Sequence, residues 1–253
     1  MPILEVEHLT KFFGGFRAVA DLSFAVEDGE ILGLVGPNGA GKTTTFNLIT
    51  GFLTPTAGRI RFRGEDITHR PPYERAQRGL VRTFQNTTVF ATLTVEDNIR
   101  LGCFRRLPRG MRPILLGLSA AEETALQARV DELVAFTGLE AVRHTAAEDL
   151  SYGDQRTLEI AVALGAEPRL LLLDEPFAGM NRAEADRCMD LIHRTRAQGV
   201  TVLLVDHHMD TLMRHCHRLV VLHHGEKLAE GPPEVIRTDA RVIATYLGGG
   251  PDA

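Results

Sequence analysis

The sequence predicts an α/β fold: a parallel sheet built around a phosphate-binding loop, preceded by short strands and interrupted by a helical insertion. Three observations carry this expectation. Residues 31–35, 170–173 and 200–205 are short, unbroken apolar runs, the pattern of parallel strands covered on both faces. From about Val89 to Ala166 such runs vanish and helical patterns dominate. Finally, Gly36-Pro37-Asn38-Gly39-Ala40-Gly41-Lys42-Thr43-Thr44 satisfies G-x-x-x-x-G-K-[ST] at every required position, with a strand pattern before it and a helical one over 43–50 after it.

The chain opens with Leu4 and Val6 alternating with Glu5 and Glu7, a half-buried strand rather than an apolar leader. Residues 22–26 read as a second strand, ended by the turn Glu27-Asp28-Gly29. Between them lies Phe12-Phe13-Gly14-Gly15. Phe13 is the candidate to stack on an adenine ring, although a plain core phenylalanine fits the sequence almost as well. Past the loop, Arg59, Arg61 and Arg63 alternate with Ile60 and Phe62, a strand with one buried and one solvated face. Pro71-Pro72 starts a short helix, and a strand over 80–84 delivers Gln85. In the helical section, Thr94 with Asp97 resembles a capping box, and Ser119 with Glu122 completes one. The segment 105–113, rich in Arg, Pro and Gly, reads as a solvated loop or as a contact for lipid headgroups or a partner. Ser151 caps the helix that follows it, and Asn181 caps another with Glu184 in the capping-box position. Residues 219–229 form a hairpin pattern, and the tail beyond Pro232 holds one or two short helices.

Composition narrows the function classes. The 253 residues carry a net charge of −5, so nothing global favours nucleic acid. Cys103, Cys188 and Cys216 are scattered, which excludes a disulfide framework or a Cys/His metal cluster. No apolar run approaches the ~18 residues of a membrane span, so membrane work would be done as a bound, peripheral part.

The chemistry gathers at strand ends. Glycines let the loop amides point inward at phosphate oxygens, the helix after the loop adds its positive end, Lys42 supplies a charge for the outer phosphates, and the Thr43 hydroxyl suits Mg²⁺. A nucleoside triphosphate is therefore the expected ligand. Asp174 ends the four-leucine run and is the expected Mg²⁺-side carboxylate. Glu175, one residue on, is placed to polarise an attacking water. His207 follows the next apolar run, where it would donate to the γ-phosphate or sit in an exposed turn with His208.

Taken in order, the phosphate loop, Gln85, Leu150-Ser151-Tyr152-Gly153-Asp154-Gln155, the run 170–176 and His207 resemble an ATP-binding cassette ATPase over nearly the whole chain. That resemblance implies a P-loop NTPase (RecA-like) core with an N-terminal antiparallel β subdomain, at 1–88 and 167–231. It also implies an inserted helical subdomain at 89–166 and a helical tail at 232–253. It implies two cassettes facing head to tail, with Ser151 and Gly153 of one contacting the γ-phosphate held by the other, and it makes Asn181, which ends the loop after the acidic strand, a further nucleotide-binding candidate. Gln85 would sense Mg²⁺ and the attacking water, and residues 86–90 would meet the membrane subunits. Segments such as Arg82-Thr83-Phe84-Gln85-Asn86 and Tyr152-Gly153-Asp154-Gln155-Arg156 resemble the ATPases of branched-chain amino acid importers. The implied partners are a sister ATP-binding subunit, two permease subunits and, indirectly, a periplasmic binding protein, at the cytoplasmic face of the inner membrane. The chain departs from the wider family pattern at Tyr152, Asp154, Asn181 and His208. Two other classes fit less well. A cassette acting on DNA or ribosomes would carry a coiled-coil insertion or a tandem cassette, and a GTPase would carry the guanine-reading Asn/Thr-Lys-x-Asp motif.

Overall fold

The computed structural model describes residues 2–83, 89–106, 118–206 and 209–247. By its contacts the chain forms two compact units, one of residues 1–82, 169–176 and 192–253, the other of residues 83–168 and 177–191.

The first unit holds two sheets. In the four-stranded sheet, β1 (Pro2–Phe13) pairs antiparallel with β2 (Phe16–Glu27) and with β4 (Ala57–Phe62), and β5 (Glu65–Asp66) closes the edge. Leu4, Val6, Ile60 and Phe62 point into the core, while Arg59 pairs with Asp66 and Arg61 with Glu7 on the wet face. The alternation seen in the sequence is thus the pleat of a one-sided sheet. The six-stranded sheet runs β10-β9-β3-β8-β7-β6, from β3 (Ile31–Val35), β6 (Leu80–Arg82), β7 (Leu170–Asp174), β8 (Thr201–Val205), β9 (Arg218–His223) and β10 (Glu226–Gly231). Every residue of β3, β7 and β8 is buried, which is why these strands read as unbroken apolar runs. All neighbours in this sheet are parallel except the β9–β10 hairpin. Val205 is level with both Leu34 and Asp174, so β3, β7 and β8 end on one edge.

Helix α1 (Lys42–Thr50) leaves that edge and stops at Gly51. Its last carbonyls find an unexpected partner. Arg75, on α2 (Pro72–Gln77), is 1% exposed. Its guanidinium donates to the Leu48 and Ile49 carbonyls at 2.7 and 2.6 Å, to Thr68 at 2.9 Å and to Arg70 at 2.8 Å. Burial pushes this guanidinium down to about 10, with Asp66 opposing, so it stays charged at neutral pH. A cation at a helix C-terminus satisfies the orphan carbonyls and opposes the negative end of the dipole.

The second unit is helical, from α3 (Val95–Gly102), α4 (Ala120–Thr137), α5 (Tyr152–Gly165) and the first part of α6 (Arg182–Ala197). Ser119 and Glu122 form the full capping box at the start of α4, and Thr94 accepts from the Asp97 amide at α3. Inside α5, Arg156 and Glu159 form an ion pair at 2.9 Å, with side chains 7% and 3% exposed.

The contact division differs from the expected boundaries. Residues 177–191 pack with the helical unit, because Tyr152 lies against Gly179 and Glu184 against Gly153. The segment 232–247 stays with the sheets: α7 (Met209–His215) precedes β9, and α8 (Pro233–Ile236) and α9 (Ala240–Leu247) follow β10, with Ile236 and Val242 buried. Cys103, Cys188 and Cys216 are buried and form no disulfide. Burial, assisted by Glu30 and Asp206, pushes the Cys216 thiol up to about 12.

Replacing Arg75 with methionine leaves the α1 carbonyls buried without a donor. The expected cost is about 3 kcal/mol of stability, read as a lower urea midpoint at unchanged slope.

Candidate nucleotide site

The loop 36–41 connects β3 to α1 at the edge where β7 and β8 also end. Gly41 is the N-cap of α1 at φ 97°, and a β-carbon there would lie 2.6 Å from the Ala18 carbonyl. Only glycine meets both demands. The first turn of α1 carries no acidic residue, so its positive end remains available to an anion.

A cavity of about 260 Å³ sits on this loop, lined by Phe16, Ala18, Asn38, Gly39, Ala40, Gly41, Lys42, Thr43, Thr44 and Glu175. Lys42 is 7% exposed, and its ammonium donates to the Gly36 carbonyl at 2.5 Å and the Pro37 carbonyl at 3.0 Å. Burial pulls its pKa below the usual lysine range, while Glu175, Asp206 and Asp174 push it back up. Three carboxylates therefore act on one ammonium at the sheet edge.

Asp174 is 3% exposed and ends β7. Glu175 adopts φ 47°, a left-handed conformation that costs a non-glycine residue about 1–3 kcal/mol and collects at functional sites. Its amide donates to the Val205 carbonyl at 2.7 Å, which fixes the turn at the end of the acidic strand.

Phe13 is the aromatic expected to stack on the adenine ring. Phe13 is 46% exposed and takes the Lys11 ammonium 5.3 Å from its ring centre, but it does not line the cavity. Phe16 does, and it pairs with Phe13 across the β1–β2 hairpin. The sequence contains both aromatics; only the hairpin register decides which one faces the loop.

The second unit gathers the other candidates. Ser151 caps α5: its hydroxyl accepts from the Asp154 amide at 3.2 Å and donates to the Asp154 carboxylate at 2.7 Å. Asn181 and Glu184 form a reciprocal cap at the start of α6, at 3.0 and 2.9 Å. A β-carbon on Gly153 would lie 3.2 Å from the Glu184 side chain, and one on Gly179, at φ 76°, would lie 2.9 Å from the Tyr152 ring. The Tyr152 hydroxyl accepts from Arg156 at 2.7 Å. Residues 151–153 and the loop 177–181 are thus one packed cluster. Gln85, His207, His208, residues 86–88 and residues 107–113 lie outside the described residues, so the expectations placed on them stand as sequence readings.

No group of three or more His, Cys, Asp or Glu side chains that could hold a metal occurs among the described residues. The oxygen donors Thr43 and Asp174 nevertheless suit a hard cation such as Mg²⁺, which needs few protein ligands when phosphates supply the rest. Sequence reading missed Phe16, Ala18, Arg82 and Asp206. Asp206 had a legible signal, because it follows β8 as Asp174 closes β7.

Comparison with known proteins agrees with this geometry. The family model described as ABC transporter matches residues 19–178, and one described as branched-chain amino acid ATP-binding cassette transporter matches residues 226–252. The chain is 42% identical over 253 residues to the high-affinity branched-chain amino acid transport ATP-binding protein BraF of Pseudomonas aeruginosa, covering 98% of both. It is 39% identical over 246 residues to the lipopolysaccharide export system ATP-binding protein LptB of Acidithiobacillus ferridurans, covering 97% of both. Among solved structures, a nucleotide-free ATP-binding cassette from an ABC transporter is 31% identical with a TM-score of 0.85, over 97% of this chain and 99% of that one. The ADP conformation of such a cassette is 30% identical with a TM-score of 0.84, over 98% and 99%.

Base–aromatic stacking is worth about 1–3 kcal/mol. Phe16→Ala is therefore expected to weaken binding of a fluorescent ATP analogue roughly tenfold, and Phe13→Ala by clearly less, in equilibrium titrations.

Proposed function

The chain belongs to the ABC transporter family and is an ATPase of it, and from that premise we propose that it serves an importer of branched-chain or related hydrophobic amino acids. The observation that carries the cargo class is the match of residues 226–252 to the branched-chain amino acid model, alongside relatives of that name at 39–42% identity. The similarity to an export ATPase, LptB, favours a second reading, a motor for lipid-anchored cargo, but the C-terminal match speaks for the first.

The residues divide the work. ATP supplies the phosphoryl group to be cleaved, and Mg²⁺ neutralises the charge that develops on it. The amides of residues 36–44 and the Lys42 ammonium hold the phosphates, with Lys42 leaving the Gly36 and Pro37 carbonyls to reach them. Thr43 and Asp174 hold the cation. Glu175, on the cavity wall, takes the proton of the attacking water, and Gln85 and His207 orient it. Phe16 supports the base.

The cluster of Ser151, Gly153 and Asn181 serves the nucleotide of a second ATP-binding subunit, a paralogous sister. Each ATP then joins two chains, and its cleavage lets them part. Two permease subunits receive that motion at residues 86–90 and the helix after them, where Phe90 is 60% exposed and its backbone is held by Asn98 at 2.7 and 3.1 Å. No described helix is long and apolar enough to cross a membrane. In this reading the chain sits at the cytoplasmic face through its permease partners, and a periplasmic binding protein delivers the cargo.

Glu175→Gln keeps the shape of the site but removes the base. Phosphate release is expected to fall about 10²–10⁴-fold, with ATP-dependent dimers accumulating on size-exclusion chromatography. Undiminished turnover would assign the base elsewhere. The cargo is tested in proteoliposomes holding the permease pair and both ATPases: leucine, isoleucine or valine uptake that requires this chain supports the proposal. Lipopolysaccharide release in its place supports the export reading.

A further inference from the structure

One buried cation at the sheet edge has no place in the chemistry above. Arg82 closes β6, next to β7, and its side chain is 7% exposed. One guanidinium nitrogen donates to Asp174 Oδ2 at 2.6 Å, and another donates to Asn47 Oδ1 at 2.5 Å. The guanidinium also lies 5.5 Å from the centre of the Phe46 ring. Phe46 and Asn47 belong to α1, the helix that carries Lys42 and Thr43. Arg82 therefore ties the acidic strand to the helix of the phosphate loop through two side-chain hydrogen bonds.

We propose that Arg82 is a positioning residue for the divalent cation: it holds Asp174 by Oδ2, which leaves Oδ1 for the metal, and it ties that carboxylate to the helix that carries Thr43. The inference rests on the ATP-binding reading of the site. A carboxylate only 3% exposed needs a partner to hold it in one orientation, because a buried charge left uncompensated costs several kcal/mol. Lys42 also interacts with Asp174, but Glu175 and Asp206 share that ammonium. Arg82 points two separate nitrogens of one planar fork at Asn47 and Asp174, a fixed geometry that the single ammonium nitrogen of a lysine does not reproduce. Charge alone would give a contrary role, with Arg82 repelling the cation. The two roles predict opposite signs, so they are separable.

The full-length chain is titrated with a fluorescent ATP analogue in EDTA, then with Mg²⁺ at fixed analogue, and with Mn²⁺ followed by electron paramagnetic resonance. Partners that hold a metal's carboxylate ligands typically govern about 10–100-fold in metal affinity. Arg82→Gln is expected to raise the Mg²⁺ midpoint by that factor, to leave metal-free analogue binding unchanged and to broaden the bound Mn²⁺ spectrum. Arg82→Lys should rescue only part of the shift, and Asn47→Ala should shift the midpoint the same way by a smaller factor. If Arg82→Gln does not fold, the Asn47→Ala result alone decides. On an Asp174→Asn background, Arg82→Gln should add nothing. An unchanged midpoint, a lowered one, or an equal shift on the Asp174→Asn background overturns the proposal. Failure of the unaltered chain to bind the analogue overturns the nucleotide reading itself, so the two failures are distinct.

Discussion

The structure depends on the concentration of charge at one edge of a buried sheet. Lys42 stands among Asp174, Glu175 and Asp206 where β3, β7 and β8 end level. Such a cluster would be untenable in the middle of the sheet, where the strand residues are buried and nearly all apolar. At the edge, the loop carbonyls, the backbone turn at Glu175 and the Arg82 guanidinium satisfy it. The parallel arrangement is what places the ends of these strands together. The site follows from the topology before any particular side chain is considered.

Two enclosed arginines support the helix that leaves this edge. Arg75 holds the far end of α1 and Arg82 its middle, while the loop holds its beginning. A nine-residue helix has little stability of its own. Fixing it at three points gives the loop a rigid support, which matters because a phosphate site displaced by an ångström loses much of its efficiency.

Much of this was legible in the sequence. The strands were, because burial on both faces forces unbroken apolar runs, and so were the caps at Ser119, Ser151 and Asn181, because capping is local. The phosphate loop was, because its glycines answer a backbone demand that no other residue meets. What escaped was whatever depends on distant pairing. Arg75 and Arg82 look like surface arginines until α2 and β6 are placed against α1. Phe16 and Phe13 are three residues apart, and only the hairpin register separates their fates. The grouping of residues 177–191 with the helices was hidden because it depends on packing between segments distant in sequence, such as Gly153 with Glu184 and Gly179 with Tyr152.

The three native thiols are all enclosed, and the one at Cys216 holds its proton to high pH. Thiolate is the form that alkylating and oxidising reagents attack. The folded chain is therefore a nearly silent background for such reagents, and a single cysteine placed on its exterior becomes the one addressable handle. Spin or dye labels attached there would report how two copies or sister chains approach and separate, without first stripping the protein of its own sulfur.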